Sequence, residues 1–390
     1  MFVLLHVVIG CGILFRFRAY QSLYSEFKSS PLFSCLAKTV TMNYQKYIQG
    51  TEAILPYGIR SIDADAFRGF KDLKSIILPE SVTVIGERAF SGCTGLTDIS
   101  IPESVTVIGD GAFGGCKGLT SIEIPNSVSI IGRDVFSGCK GLHSIEIPNS
   151  VTSIGRQAFD GCIGLTSIEI PNSVSIIGEG AFYGCTGLTS IDIPNSVTSI
   201  GDFAFDGCTG LTSIEIPINV SKIGEGVISN CSIEKIAVHP LNPYYYSAGN
   251  CVLSKDQKIL VLGCKTSMIP NDVNEIGEGA FWGCTGLTSI EIPDSLIKIG
   301  AFAFSQCTGL TSIEIPDSVT EIGEGALWEC SGLAIIKLHT KHPLEAQALF
   351  KETRLYYLVS QITLYTPIGT GYAYRHNEFF RQFKEVIPKL

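Results

Sequence analysis

GLTSIDIPNSVTSIGDFAFDGCT, residues Gly187–Thr209, is one unit of a repeat that recurs every 23 residues, with one interruption. Glycines that each follow an isoleucine keep this step: Gly109, Gly132, Gly155, Gly178, Gly201, Gly224, Gly277, Gly300 and Gly323. Prolines keep it too: Pro79, Pro102, Pro125, Pro148, Pro171, Pro194, Pro217, Pro270, Pro293 and Pro316. A fixed period of this length predicts a solenoid, in which each repeat forms one turn, or rung, stacked on its neighbours.

The first half of the unit predicts two short extended runs. Leu188, Ile191 and Ile193 alternate with polar residues, as in a strand with one buried face. Pro194 lacks a backbone N–H and therefore ends this strand. Val197–Ile200 forms the second extended run.

The second half of the unit predicts the turn into the next rung. Gly201 marks a conformation or a close backbone approach that a side chain would prevent. Ala204, Phe205 and Cys208 are predicted to face inward. Equivalent residues of successive rungs then form columns of isoleucine, phenylalanine and cysteine.

A single repeat buries too little to fold alone. Its half-dozen apolar side chains contribute about 1.5–3 kcal/mol each, whereas ordering each backbone residue costs about 1–2 kcal/mol. Stacking supplies the missing stabilisation, because it buries both sides of every rung. We therefore predict a β-rich solenoid, a leucine-rich-repeat array of about eleven rungs. A parallel sheet runs along one side, and short extended or 3₁₀ segments lie opposite.

The repeat pattern divides the chain into five parts. Residues 1–50 form a non-repeat N-terminal segment, 51–238 the first repeats, 239–269 an insert, 270–338 further repeats and 339–390 a C-terminal cap.

The insert and the cap have their own patterns. Cys251–Leu253 and Ile259–Leu262 predict two strands of a β-hairpin that protrudes from the solenoid. Ile362–Tyr365 predicts a last strand, and the spacing of apolar residues over Tyr372–Ile387 predicts a helix that covers the last rung.

The N-terminus leaves three interpretations open. Residues 1–15 are almost entirely apolar but shorter than a membrane span, and a signal peptide for export is the first interpretation. Val8–Cys11 is similar to a bacterial lipobox, which would make Cys11 the lipidated residue. Met42 is alternatively the true start of a cytoplasmic protein, or the apolar segment packs at the N-terminus.

Composition and motifs argue against several classes of function. The net charge of −9 and the absence of a basic stripe argue against binding of nucleic acid. The sequence contains no G-x-S-x-G, H-E-x-x-H or phosphate-loop motif, so we predict no enzymatic activity and no cofactor.

One acidic residue per rung is predicted to point outward from the sheet. The series comprises Glu123, Glu146, Glu169, Asp192 and Glu215, and continues at Glu291 and Glu314. Three hypotheses remain open: an acidic strip that binds a basic partner, a site that gathers cations such as Ca²⁺, or copied charges that keep the sheet soluble. No irregular loop supplies the six or more ligands that Ca²⁺ takes, so we predict no metal site.

Two further groups of residues are candidate sites. Tyr244, Tyr245 and Tyr246 predict either binding anchors or packing of the insert onto the solenoid. His339 and His342, with Glu345 nearby, favour a solvated loop over a metal site.

The cysteine column is predicted to hold buried thiols rather than zinc, because no C-x-x-C pair exists. It comprises Cys93, Cys116, Cys139, Cys162, Cys185, Cys208, Cys231, Cys284, Cys307 and Cys330.

The repeat I-G-x-x-A-F-x-G-C-x-G-L-T-S-I-x-I-P-x-S-V-T resembles the BspA-like leucine-rich repeat family. Gly178–Ser199 and Gly277–Ile297 match it almost position by position, and the resemblance covers about residues 54–335. The insert resembles a hairpin found in the family, and Ile362–Ile387 is similar to caps of members from Bacteroides-type bacteria.

The resemblance implies a non-enzymatic protein, frequently exposed on the cell surface or secreted. It implies binding or adhesion to a protein or other macromolecule, host-derived in some members, through the repeat sheet face. An intracellular protein-binding scaffold is the alternative. A membrane would be contacted only through an N-terminal anchor.

Overall fold

The protein is a β-solenoid of about 14 turns with parallel sheets and little helix. The structure is a computed structural model that describes residues 44–343, 346–347, 355 and 358–390. The Cys11, Met42 and Glu345 hypotheses lie outside the described residues. The chain divides into a unit Met1–Lys46 and a unit Tyr47–Leu390, which contains all of the strands below. A 3₁₀ helix at Tyr44–Tyr47 precedes the first strand.

The I-x-I run of most repeats forms a strand of a first parallel ladder, and Glu169 and Asp192 are joined by an isolated parallel bridge. Ser121 and Glu123 of one strand lie opposite Ser144 and Glu146 of the next, so neighbouring rungs are in register. β1 (Ile48–Gln49) pairs antiparallel with the first member. The ladder comprises β2 (Glu52–Ile54), β4 (Ser75–Ile77), β6 (Asp98–Ser100), β8 (Ser121–Glu123), β10 (Ser144–Glu146), β14 (Ser213–Ile216), β16 (Lys235–Val238), β22 (Ser312–Ile315) and β24 (Ile335–Leu338).

The second extended run of each repeat forms its own parallel ladder. Its strands are two residues long in every regular repeat, and the isoleucine before each repeat glycine is the inward residue, as at Ile154 and Ile177. This second ladder comprises β3 (Ser61–Ile62), β5 (Val84–Ile85), β7 (Val107–Ile108), β9 (Ile130–Ile131), β11 (Ser153–Ile154), β12 (Ile176–Ile177), β13 (Ser199–Ile200), β15 (Lys222–Ile223), β20 (Glu275–Ile276), β21 (Lys298–Ile299) and β23 (Glu321–Ile322).

The core lies between the ladders and the turns that join the rungs. The predicted inward residues Ala204, Phe205 and Cys208 are each 0 % exposed. Equivalent phenylalanines stack nearly parallel, with ring centroids 5.3 Å apart for Phe159 and Phe182. The same packing of buried side chains therefore recurs in successive rungs.

Gly201 marks a close backbone approach. A Cβ atom added there would lie 2.5 Å from the backbone nitrogen of Glu179 in the preceding rung, closer than real Cβ contacts allow. The isoleucine-glycine step thus sets the distance between rungs at the end of the second ladder.

The insert is part of the solenoid wall, and the prediction that it protrudes is wrong. β17 (Tyr245–Ala248), β18 (Cys251–Ser254) and β19 (Ile259–Leu262) form an antiparallel meander. β19 then pairs in parallel with β20, so it serves as a strand of the second ladder. Leu253 and Leu260 are fully buried, because the apolar face of the meander closes the core where a regular rung is missing.

The C-terminal residues extend the first ladder by two strands. β25 (Thr363–Thr366) pairs in parallel with β24, and β26 (Glu385–Pro388) pairs with β25. These strands add turns beyond the predicted eleven. Short 3₁₀ helices lie at Val359–Gln361 and Phe380–Gln382.

The helix predicted over Tyr372–Ile387 is wrong in its extent. The α-helix α1 covers only Gly371–His376. The side chain of Asn377 then accepts hydrogen bonds from the backbone N–H groups of Phe379 and Phe380, at 2.9 and 3.2 Å, and turns the chain. The residues that follow pair with the open edge of β25, which offers backbone partners that a helix would leave unused.

Candidate binding surface

The acidic ladder, Glu123, Glu146, Glu169, Asp192 and Glu215, lies on the first ladder with every side chain exposed. Glu123 is the register partner of Glu146, and Glu169 that of Asp192. The intervening isoleucines point inward, which forces the carboxylates outward. Ser100 stands in the equivalent position before the series, and Ala237 lies opposite Glu215 after it.

The five carboxylates have no ion-paired partner among the described residues. Within the part of the chain that the structure describes, no lysine, arginine or histidine forms an ion pair with any of them. Strands of a sheet lie about 4.8 Å apart, so adjacent carboxylates repel by about 0.9 kcal/mol in a water-like dielectric. The ladder is thus a row of like charges, with backbone pairing that places Glu146 beside Glu123 and Asp192 beside Glu169.

Glu314, the later member of the series, is placed differently. Its carboxylate accepts a hydrogen bond from Lys337 Nζ at 3.0 Å and contacts His339 Nε2 at 2.7 Å. These hydrogen bonds, from His339 first and Lys337 second, lower the pKa of Glu314. Sequence reasoning did not find this ionic cluster. The alternating Lys337-x-His339-x-Lys341 pattern at the end of a strand could have indicated it.

The three tyrosines of the insert are not equivalent. Tyr244 is 50 % exposed and lines a cleft of about 350 Å³ with Lys255 and Asp256. Tyr245 Oη donates to the carbonyl of Ser221 at 3.2 Å, beside the second ladder. Tyr246 packs against the core.

The buried Asn242 fixes the start of this run. Its side-chain amide donates to the carbonyls of Pro217 and Val220, and its oxygen accepts from the N–H groups of Tyr244 and Tyr245. The insert is thereby tied to the segment that joins β14 to β15.

The cysteine column is built into the turns. Cys139 Sγ donates to the carbonyl oxygen of Phe113 at 3.1 Å, and burial raises the pKa of this thiol to about 12. Cys93, Cys208 and Cys330 make equivalent bonds. Cysteines of the described residues are free thiols. Among the same residues no group of three or more histidine, cysteine or acidic side chains is arranged to hold a metal ion.

Across the described ranges, no helix is both long enough and apolar enough to cross a membrane. The two ladders and the 23-residue turns define a leucine-rich-repeat solenoid. A family model described as the BspA type leucine rich repeat region, in six copies, matches residues 39–145, 129–247 and 263–375. The chain belongs to the BspA-type leucine-rich repeat family.

Two solved structures illustrate the similarity. A leucine-rich repeat protein from Bacteroides ovatus is 28 % identical, with a TM-score of 0.51, over 77 % of this chain and 90 % of that one. A leucine rich cell surface protein from Faecalibacterium prausnitzii is 26 % identical, with a TM-score of 0.57, over 81 % of this chain and 88 % of that one. No curated protein matched the chain.

The family sets the general class of activity. Its members are generally non-enzymatic repeat scaffolds, and leucine-rich repeat proteins typically bind proteins or other macromolecules.

Proposed function

We propose that this protein is a cell-surface or secreted binding protein that holds a basic partner against the acidic ladder. The observation that carries the proposal is the row of exposed carboxylates from Glu123 to Glu215, one per rung and without ion pairs among the described residues. The partner is a protein from a host or from another cell, and the contact serves adhesion.

Electrostatic complementarity supports a basic partner. A row of like charges attracts cationic surfaces over about a Debye length, which speeds encounter and discriminates against acidic partners. Glu123 and Glu146 are paired through β8 and β10, and Glu169 and Asp192 through a parallel bridge, so these carboxylates are already arranged before the partner arrives and little backbone entropy is lost on binding. A solvated surface that serves only solubility needs no such single-sign row.

The surface location is supported by a relative. The Faecalibacterium prausnitzii protein, 26 % identical to this chain, is described as a cell surface protein. The free, buried thiols of the described cysteines support the second candidate, an intracellular scaffold, because disulfides are rare in reducing compartments.

Charge reversal tests the binding surface. The variant Glu146→Lys/Glu169→Lys/Asp192→Lys should bind a lysine-rich peptide at least tenfold more weakly than the wild type at low ionic strength, as measured by calorimetry. The matched control reverses three exposed carboxylates away from the ladder, Asp272, Glu278 and Glu378, with the same change in net charge. Equal weakening in both variants would show that only net charge matters and would contradict the proposal.

Protease treatment of intact native cells tests the location. Release of repeat peptides, with a cytoplasmic marker left intact, is expected for a surface protein. Protection of the repeats despite clear expression would favour the intracellular scaffold.

A further inference from the structure

A second candidate site, a cleft, lies over the C-terminal end of the first ladder. A cleft of about 920 Å³ spans three successive rungs, represented by Glu291, Glu314 and Lys337, and Pro367 and Leu390 contribute to its wall. This volume lies in the range of sites that hold small ligands or peptide side chains. The cleft is separated in sequence from the acidic ladder by the insert.

The charged lining is acidic on the first two rungs and basic on the third. Glu291 and Asp294 come from the first of the three rungs, and Asp317 from the second. The third rung contributes Lys337 and Lys341, with His339 between them. Lys337 lies in β24, and His339 and Lys341 lie in the loop that follows this strand.

Glu314 stands between the two walls and holds the basic one in place. Both Lys337 and His339 contact its carboxylate, at 3.0 and 2.7 Å, and Glu314 is the register partner of Lys337. In this ionic cluster, one carboxylate contacts two basic groups. Among the described residues, no ion pair neutralises Glu291, Asp294, Asp317 or Lys341.

We propose that this cleft binds an extended peptide segment carrying a basic and an acidic side chain two residues apart. The basic side chain lies on the wall of Glu291, Asp294 and Asp317, and the acidic one on the wall of Lys337 and Lys341. Side chains at alternate positions of an extended peptide lie about 7 Å apart, and two rungs span about 10 Å. The long basic and acidic side chains make up the difference between these two distances.

The polar and apolar lining between the walls also favours a peptide. The hydroxyl groups of Ser289 and Ser312 lie on successive rungs of the floor, where they meet peptide N–H and C=O groups. Pro316 and Pro367 offer apolar surface to the peptide backbone. Among the described residues that line the cleft there is no phenylalanine, tyrosine or tryptophan on which a sugar ring could stack. The proposal does not rest on the function of the acidic ladder.

Titration of blocked tripeptides tests the proposal. Acetyl-Lys-Gly-Glu-amide should bind the full chain about tenfold more tightly than acetyl-Lys-Gly-Lys-amide or acetyl-Glu-Gly-Glu-amide at low ionic strength, as measured by calorimetry. Equal affinities for the three tripeptides, or no binding of the mixed one, would overturn the proposal.

Matched variants locate the contact. Lys341→Gln and Asp294→Asn should each weaken binding of the mixed tripeptide by about fivefold, the upper range for an exposed ion pair. Lys222→Gln, at an exposed lysine of the second ladder, should leave the affinity unchanged. An equal effect of Lys222→Gln would overturn the proposal, and circular dichroism verifies that each variant is folded. The Glu146→Lys/Glu169→Lys/Asp192→Lys variant should retain tripeptide binding, which separates this site from the acidic ladder.

Discussion

Single residues at the turn between rungs determine whether a neighbouring rung can carry a large side chain at the same position. One column of the turn has a left-handed backbone in successive rungs, whether or not the residue is glycine. Phe203 has φ +54° and Gly226, its equivalent in the next rung, has φ +56°. The phenylalanine ring covers the glycine, since a Cβ at Gly226 would lie 2.5 Å from Phe203 Cε1. A large side chain in one rung is therefore accommodated by glycine in the next.

Gly226→Ala should destabilise the protein by about 2–4 kcal/mol. About 1–2 kcal/mol comes from the left-handed backbone, and the remainder from the clash with the Phe203 ring. Urea unfolding followed by circular dichroism measures the change.

Gly69→Ala is the control for this experiment. Gly69 has φ +75° but no atom within 4 Å of an added Cβ, so only the backbone strain should appear. Phe203→Ala combined with Gly226→Ala should recover the clash component. Equal losses at both glycines would show that the ring contact has no energetic effect.

Asp206 is a buried carboxylate whose titration should affect folding. Burial raises its pKa, and the hydrogen bond from Asn230 Nδ2, at 2.9 Å, offsets this only in part. The folded state then holds the proton more tightly than the unfolded state, so this group contributes stability as the pH falls and removes it as the pH rises through the raised pKa.

Asp206→Asn should therefore be more stable than the wild type at pH 7. The advantage should shrink as the pH falls towards about 4, the ordinary aspartate pKa. Thermal unfolding at several pH values measures it, with the exposed Asp272→Asn as control. A variant less stable than the wild type at pH 7 would mean that the Asp206 charge stabilises the fold.

At the scale of the element, the phenylalanine column joins successive rungs through stacked, buried rings. Phe159 is 0 % exposed and stacks on Phe136 and Phe182 with centroid distances of 5.5 and 5.3 Å. Because each ring packs on two others, its loss opens a cavity that neighbouring rungs cannot fill without breaking register.

Phe159→Ala should destabilise the array by about 3–5 kcal/mol, the usual cost of truncating a fully buried ring. Chemical denaturation measures the loss, and Tyr183→Ala, at a 45 % exposed ring one repeat further along, serves as the control. A loss below about 1 kcal/mol at Phe159 would contradict the column's role.

The insert shows a local signal that sequence reasoning missed. Gly249 and Asn250 have φ +56° and +60°, the conformation of a two-residue type I′ hairpin turn. The pair joins β17 to β18, whereas the only hairpin predicted from the sequence lies between β18 and β19. Glycine followed by asparagine between two apolar runs could have predicted this first turn.

At the scale of the whole molecule, the acidic ladder makes stability depend on ionic strength. Each member lies one rung, about 4.8 Å, from the next, so an interior carboxylate repels two neighbours by about 0.9 kcal/mol each before screening. The repulsion extends along several rungs and is offset by packing of the array as a whole.

Glu169→Gln should raise the free energy of unfolding by about 1–2 kcal/mol at low salt, and the gain should disappear at high salt. Urea titrations at the two salt concentrations measure it, with Glu378→Gln in the cap as control. A gain that is independent of salt would show that the Glu169 charge is not the cause.

The sequence by itself determined the repeat, the inward columns and the family, because each follows from a period that is visible without any contact. It also predicted the outward row from Glu123 to Glu215, since alternation within a strand decides which side chain faces water. The tertiary structure alone decided the integration of the insert and the end of α1 at His376. It also decided the clustering of Glu314 with Lys337 and His339. The physical reason is that an open strand edge or an unpaired charge finds its partner in a neighbouring rung, about 23 residues away in sequence.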